Sequence, residues 1–97
     1  FEEHFRFILK NLFYICGFNV KEEEQVANGR IDLVVETSNI IYVIELKMSD
    51  NGGMSAATQQ IITRHYKDAY CASHKSVVGL ALVFDKDNRG LKDWNEV

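Results

Sequence analysis

Three charged residues near the middle of the chain have the types and spacing needed for metal-assisted chemistry. Asp32 lies in the apolar segment GRIDLVVE, and Glu45 and Lys47 lie in the next one, IIYVIELKM. Carboxylate oxygens are the ligands that Mg²⁺ prefers in proteins. A lysine amine beside them can orient a water molecule or offset developing negative charge. Together these groups would suit attack of water on a phosphate ester.

The two segments are predicted to form a β-hairpin with both carboxylates opposite each other. Apolar and polar residues alternate, as in strands with one buried face. An antiparallel turn about Ser38-Asn39 pairs position 32 with position 45, because both lie equally far from the turn. Directly opposed Cβ atoms are about 4.5–5.5 Å apart, and like charges so placed destabilise a sheet unless something binds between them. The pairing therefore predicts a site for a hard divalent cation.

Alternation also predicts which side chains share a face of each strand. On the first strand, Asp32 and Val34 should point away from Ile31, Leu33 and Val35. On the second strand, one side should carry Ile41, Val43, Glu45 and Lys47. Arg30 would lie across from Lys47, where it would contact a phosphate or neutralise Asp32.

This arrangement resembles the D…(D/E)xK signature of the PD-(D/E)xK nuclease superfamily, here Asp32 and Glu45-Leu46-Lys47. The chain is most similar to a bacterial branch with GRIDLV, a turn, YVIELK, and a helix carrying Gln-Ile and later Tyr. The corresponding positions are 29–34, 42–47, Gln60-Ile61 and Tyr66. That branch usually lies C-terminal to an ATPase-like domain in a longer polypeptide. The resemblance covers nearly the whole chain.

The resemblance implies a site for Mg²⁺, or Mn²⁺ as its substitute. The implied metal ligands are Asp32, Glu45 and the backbone carbonyl of Leu46. The implied catalytic residues are Asp32, Glu45, Lys47 and Gln60. Gln60 would lie near the metal-bound water or the substrate, and its alternative is a partly exposed surface residue.

Three further residues are candidates with weaker support. Glu2 matches a first-helix glutamate that reaches toward the metal, and its alternative is an acid that favours the helix dipole. Arg30 and Tyr66 are candidates for contact with substrate, and the alternative for Tyr66 is packing in the core. His65 is interpreted as a core histidine and not as a ligand.

The expected reaction is metal-dependent hydrolysis of a DNA phosphodiester that leaves a 5′-phosphate, as the resemblance implies. A second hypothesis is a non-catalytic interaction or regulatory module that keeps a nuclease fold within an ATPase-like protein. A third is metal-dependent hydrolysis of another phosphate ester. No P-loop, GxSxG motif or Cys/His cluster occurs, so NTP hydrolysis, serine chemistry and zinc chemistry have no residues to carry them.

The net charge of −3 favours the second hypothesis, because nucleic-acid-binding surfaces normally carry an excess of Lys and Arg. A basic face would require six dispersed residues to gather. They are Lys21, Arg30, Lys47, Arg64, Lys67 and Lys75.

Length and composition indicate one globular domain over residues 1–97, with 46% hydrophobic and 26% charged residues. The chain begins inside an apparent helix without Met, so it is expected to be the C-terminal part of a longer protein. No apolar run approaches the ~18–20 residues of a membrane span, and a cytoplasmic location is expected. Cys16 and Cys71 are interpreted as reduced core thiols.

The predicted elements complete an αβββαβ core. A first helix over residues 1–16 has an apolar stripe and a C-cap at Gly17, and a strand over 18–26 ends at the turn Asn28-Gly29. After the hairpin, Ser55 should cap a helix over 56–72. Its inward face should carry Ala57, Ile61, Ile62, His65, Tyr66, Ala69 and Tyr70.

The last part of the chain is predicted to fill the sheet. The apolar run over 76–84 indicates a strand covered on both faces, and a short strand over 91–97 should close the core with Trp94. The expected fold class is α/β, a restriction-endonuclease-like mixed sheet flanked by helices on both faces.

Overall fold

The computed structural model describes residues 2–87 and 89–97, so Phe1 and Asn88 of the predicted first helix and last turn lie outside them. The helices are α1 (Glu2–Ile15), α2 (Gly53–Thr63) and a short 3₁₀ helix (Tyr66–Tyr70). The strands are β1 (Asn19–Val26), β2 (Gly29–Glu36), β3 (Ile40–Met48), β4 (Ser76–Asp85) and β5 (Gly90–Glu96).

The strands form one mixed sheet in the order β1-β2-β3-β4-β5. The pair β3–β4 is parallel and the other neighbours are antiparallel. The parallel pair needs a crossover connection, which α2 and the 3₁₀ helix supply. This order confirms the predicted αβββαβ core, with β5 added at the edge beside β4.

Two apolar clusters lie on opposite faces of the sheet, as expected for an α/β domain with helices on both sides. On the face covered by α1, the buried residues are Phe5, Leu33, Val35, Ile44, Leu46, Met48, Leu82 and Phe84. On the face covered by α2, they are Ile31, Val34, Ile41, Val43, Ala57, Ile61, Tyr66 and Ala81. Because β4 contributes to both clusters, its continuous apolar sequence is explained.

Helix α1 ends in a glycine C-cap, as predicted. Gly17 has φ +89°, its N–H donates to the Tyr14 carbonyl (3.0 Å), and the Phe18 N–H donates to the Phe13 carbonyl (3.1 Å). These are the two bonds of a Schellman motif, and the Phe13–Phe18 ring contact completes it. The apolar stripe is only partly buried: Phe5 lies in the core, whereas Ile8 and Leu12 are exposed.

The predicted helix over 56–72 is wrong in both its start and its continuity. Helix α2 begins at Gly53 after Gly52, which has φ +92°, and not after Ser55. It ends at Thr63, because His65 adopts a left-handed conformation (φ 53°) that turns the chain before the 3₁₀ helix. The turn buries Tyr66 but leaves Ile62, His65 and Ala69 exposed, so these three predicted inward positions are wrong.

Three other expected core residues lie at the surface. Trp94 is 62% exposed, because β5 is an edge strand with a polar sequence. Cys16 and Cys71 are free thiols and both are exposed, since each follows the end of a helix beyond its packed face. No helix in the described ranges is long and apolar enough to cross a membrane.

Candidate active site

Strands β2 and β3 pair in the register predicted from the turn. The Thr37 N–H donates to the Ile40 carbonyl (2.8 Å) and closes the hairpin. The ladder then runs from Glu36–Ile41 to Leu33–Ile44. Continued by one step, the same register places Asp32 opposite Glu45.

At that step, hydrogen bonds between backbone N–H groups and carboxylates replace the regular backbone ladder. The Asp32 N–H donates to Glu45 Oε1 (3.2 Å), and the Leu46 N–H donates to Asp32 Oδ2 (2.9 Å). Each carboxylate thus accepts a bond from the main chain of the other strand. This reciprocal pattern holds the two acids next to each other at the place where the strands separate.

The ladder with β1 is interrupted at the same residue. Glu23 stands opposite Asp32 in the β1–β2 register but is not paired with it, and Glu23 has φ 51°, which is uncommon for a residue other than glycine. Asp32 therefore lacks regular pairing on both sides. The flanking pairs are Glu22–Leu33 and Glu24–Ile31.

The interruption also changes the faces predicted by simple alternation. Ile31 lies in the α2-side cluster with Val34, whereas Leu33 and Val35 lie in the α1-side cluster. The prediction that Ile31 shares a face with Leu33 and Val35 is wrong. The chain turns at Asp32, where neither neighbouring strand pairs with it, so the period of two is lost there.

Glu45 is a carboxylic acid held inside the protein. It is 1% exposed, and its Oε2 atom has no hydrogen-bond partner in the described residues. Burial, followed by the negative charge of Asp32, raises the pKa of Glu45 to about 9, against the opposing effect of Lys47. Without a cation the carboxyl is therefore neutral at neutral pH, because ionising it beside Asp32 is unfavourable.

Glu2, in the first turn of α1, belongs to the same electrostatic group. Burial raises the pKa of Glu2, and the charge of Asp32 raises it further, whereas Lys47 and Arg6 lower it. Its neighbour Glu3 is exposed. Four of the predicted site residues therefore lie near enough to influence one another electrostatically: Glu2, Asp32, Glu45 and Lys47.

The residues present fit a hard divalent cation. In residues 2–87 and 89–97, no three His, Cys, Asp or Glu side chains converge closely enough to hold a metal by themselves. Mg²⁺, however, is usually held by one or two carboxylates and retains several waters. Glu45 Oε2, buried and without a partner beside Asp32, is the kind of oxygen that a cation would satisfy.

Gln60 and Tyr66 are joined to each other and to the beginning of β2. The Gln60 amide donates to the Tyr66 hydroxyl (3.3 Å), which donates to the Arg30 carbonyl (3.0 Å). Tyr66 is part of the α2-side core. These contacts link both residues to the backbone that leads into Asp32. The role of Gln60 near a metal-bound water stays a prediction.

The basic residues expected to gather are engaged at separate places. Arg30 lies 3.9 Å from Glu23, and Arg64 donates to the Asn28 carbonyl. Lys67 donates to the Val97 carbonyl, and Lys75 donates to Glu36 and to the Thr37 carbonyl. These five contacts are spread over several strands and turns.

Sequence reasoning missed the ion pairs that join Glu23 of β1 to α1 and to β2 beside the site. Arg6 Nη1 lies 3.1 Å from Glu23 Oε1, and Arg30 approaches the other oxygen of Glu23. Two signals were present in the sequence: Arg6 is one helical turn after Glu2, and the turn before Gly29 places Glu23 opposite Asp32.

Comparisons with known proteins identify the family of the chain. A family model for the PD-(D/E)XK nuclease superfamily matches residues 1–94. An uncharacterized protein in the vnfD 5′ region of Azotobacter chroococcum mcd 1 is 26% identical over 91 residues. That alignment covers 94% of this chain and 18% of the relative, so the chain spans less than a fifth of the relative's length.

Proposed function

Because the chain belongs to the PD-(D/E)XK nuclease superfamily, we propose that it hydrolyses phosphodiester bonds of DNA with the help of a divalent metal. The observation that carries the proposal is the reciprocal bonding of Asp32 and Glu45, with Lys47 close enough to act on the ionisation of Glu45. The product would carry a 5′-phosphate.

Asp32, Glu45 and the Leu46 carbonyl would hold the metal, with Glu2 as a further candidate ligand. Mg²⁺, or Mn²⁺ in its place, supplies a Lewis acid for a phosphoryl oxygen and lowers the pKa of a bound water. The chain contributes a fixed geometry, because the Leu46 N–H holds Asp32 Oδ2 and the Asp32 N–H holds Glu45 Oε1.

Lys47 follows Glu45 by two residues and acts electrostatically on both Glu2 and Glu45. Its ammonium group would orient the attacking water or offset the charge that develops on the phosphoryl oxygens. Arg30 would contact a neighbouring phosphate. Gln60 would act near the water, either directly or through its bond to Tyr66.

A second candidate is an interaction or regulatory module with a nuclease fold. Its support is the net charge of −3, together with basic side chains engaged at separate places on the sheet. In either case we propose that residues 1–97 form one nuclease-like domain of a longer polypeptide with an ATPase-like domain. The relative's much greater length is compatible with this.

Cleavage assays test the first candidate. Supercoiled, linear and single-stranded DNA, with RNA as a comparison, would be incubated with Mg²⁺, Mn²⁺ or EDTA. The parent should cleave DNA only with metal and leave 5′-phosphate ends, and Asp32→Ala should not cleave. Lys47→Ala should not cleave either. Lys92→Ala, which removes a lysine at an exposed position on β5, is its control and should cleave like the parent. A parent that neither binds Mn²⁺ nor cleaves DNA would favour the interaction module.

A further inference from the structure

A chain of hydrogen bonds runs from α2 to the strand that carries Asp32. The Gln60 amide donates to Tyr66 Oη over 3.3 Å, and Tyr66 Oη donates to the Arg30 carbonyl over 3.0 Å. A tyrosine hydroxyl has one proton, so donating it to Arg30 leaves a lone pair to accept from Gln60. The two bonds therefore fix the direction of the Tyr66 O–H group. The last acceptor, the Arg30 carbonyl, lies two residues before Asp32.

The start of β2 is shaped around this hydroxyl. A Cβ atom at Gly29 would lie 2.8 Å from Tyr66 Oη and 2.9 Å from Arg64 Nη1, closer than such atoms approach in proteins. Gly29 also has φ +151°, a conformation that L-residues rarely adopt. The glycine of the GRID segment thus allows Tyr66 to reach the main chain.

The residue that precedes Tyr66 adopts an unfavourable backbone conformation next to this contact. His65, just before Tyr66, has φ 53°, which costs free energy for a residue with a side chain. This conformation ends the helix and sends Tyr66 into the α2-side core, where it is 1% exposed. Left-handed His65 and glycine at position 29 both serve the Tyr66–Arg30 contact.

The contact matters because Asp32 receives little support from strand pairing. Neither Glu23 on β1 nor Glu45 on β3 forms a regular backbone pair with it. The backbone at Asp32 is therefore set by its two flanks. After Asp32, Leu33 is paired on both sides. Before it, Ile31 and Arg30 are paired only with the edge strand β1, and the Arg30 carbonyl also accepts a hydrogen bond from Tyr66.

We propose that Tyr66 is a positioning residue for Asp32, acting through the Arg30 carbonyl, and that Gln60 sets the direction of the Tyr66 hydroxyl. The catalytic consequence rests on the function proposed above. Tyr66 is buried, so it acts on the direction of the Asp32 carboxylate without touching DNA. Gly29 and Gln60 act through the same contact: Gly29 leaves space for the Tyr66 hydroxyl, and Gln60 donates a hydrogen bond to it.

The test uses Tyr66→Phe, which removes the hydroxyl and keeps the ring, and Gln60→Leu, which keeps the hydroxyl and removes its donor. Tyr70→Phe is the control, because Tyr70 lies in the same 3₁₀ helix. The first measurement is amide hydrogen exchange of the metal-free protein. In Tyr66→Phe, the Asp32 and Leu46 amides, which bond the two carboxylates, should exchange faster relative to the ladder amides of β2 and β3.

The second measurement is the Mn²⁺ dissociation constant of each folded variant, with kcat and KM for DNA cleavage. Residues that orient a metal ligand typically change metal affinity or activity by 10–100-fold when they are altered. Tyr66→Phe should weaken Mn²⁺ binding within that range and lower kcat while KM changes little. Gln60→Leu should act in the same direction with a smaller effect, and Tyr70→Phe should match the parent.

The outcomes separate this proposal from the proposed function. Uniformly faster exchange of all amides with unchanged Mn²⁺ affinity would show that Tyr66 serves only general stability, and would overturn its role at Asp32. A parent that binds no Mn²⁺ would overturn the nuclease function instead. In that event the exchange at Asp32 and Leu46 still decides whether Tyr66 positions Asp32.

Discussion

The backbone amide of Asp32 donates a hydrogen bond to Glu45 Oε1 over 3.2 Å, so the two acids are joined through the main chain as well as through space. Asp32 Oδ2 in turn accepts from the Leu46 N–H. A shift of either strand would therefore disturb both carboxylates together. The two acids are therefore fixed relative to each other in the metal-free protein.

Stability of the metal-free protein should fall as pH rises, because of Glu45. The pKa of Glu45 is raised to about 9 by burial and by Asp32, whereas in the unfolded chain it is near 4.3. Between these values the folded state holds a proton that the unfolded state has lost. The free energy of unfolding should therefore decrease by up to about 1.4 kcal/mol per pH unit, and the contribution is complete below pH 4.3 and lost by pH 9.

Denaturant titrations in EDTA at several pH values measure this slope. Glu45→Gln should flatten it, since a group that cannot ionise adds no such dependence. Glu24→Gln on the edge strand β1 is a suitable control and should keep the parent slope. A parent whose stability rises from pH 5 to 8 would show that Glu45 is ionised in the metal-free fold.

Neutralising Asp32 should not harm the metal-free fold. Asp32→Asn removes a negative charge beside Glu45 and keeps an oxygen that can accept from the Leu46 N–H. The free energy of unfolding in EDTA should change little at neutral pH, where Glu45 is protonated. Where Glu45 ionises, it should rise by up to about 1 kcal/mol, the usual size of a cross-strand pair. Thermal and denaturant unfolding at constant pH would measure the change.

Glu36→Gln is the contrast for that experiment. Glu36 lies at the other end of β2, where Lys75 donates to its Oε2 over 2.8 Å and lowers its pKa. Its neutralisation should reduce stability slightly, as expected for a surface ion pair. A large loss of stability in metal-free Asp32→Asn would mean that Asp32 serves the fold and not a metal.

Lys47→Ala and Asp32→Ala should both abolish cleavage, for different reasons. Lys47→Ala removes a cation and no ligand, so Mn²⁺ affinity should stay nearly the same or increase slightly. Asp32→Ala removes a carboxylate from a site with few of them, so tight binding should be lost. Calorimetric Mn²⁺ titration beside a cleavage assay distinguishes the two. Cleavage by Lys47→Ala at the parent rate would remove Lys47 from the mechanism.

Glu2→Gln tests whether the first helix contributes to the metal site. As a ligand, Glu2 should support Mn²⁺ affinity, and Glu2→Gln should weaken it by about tenfold. Glu3→Gln is the matched control, because it removes the same charge from the same helix turn at an exposed position. Equal and small effects of both changes, seen only in stability, would indicate that Glu2 acts on the helix dipole alone.

The sequence predicted the parts of this fold that depend on local pattern. The Ser38-Asn39 turn determined the register that brings Asp32 opposite Glu45, and Gly17 marked the end of α1. The apolar run of β4 correctly indicated a strand buried on both faces. Alternation, turn chemistry and capping are local properties, so a single sequence contains them.

The errors arose where tertiary contacts override local preference. His65 is compatible with a helix, but the burial of Tyr66 against Arg30 makes a left-handed turn favourable there. Ile31 changes face because the strand is interrupted at Asp32, an effect of the site and not of strand propensity. Trp94 is predicted to close the core, but its position on an edge strand exposes it.

The position of the two carboxylates in one hairpin limits the entropy that the chain loses when they come together. Asp32 and Glu45 belong to one hairpin and are 13 residues apart in sequence, so bringing them together closes only a short loop. The entropic cost of closing a loop grows slowly with loop length, by about 0.6 kcal/mol for each doubling. The arrangement therefore costs little conformational entropy. The terms that oppose it are the burial of a charged Glu45 and, after that, its repulsion from Asp32. A protonated Glu45 removes both, so the empty site can form together with the hairpin before any cation binds.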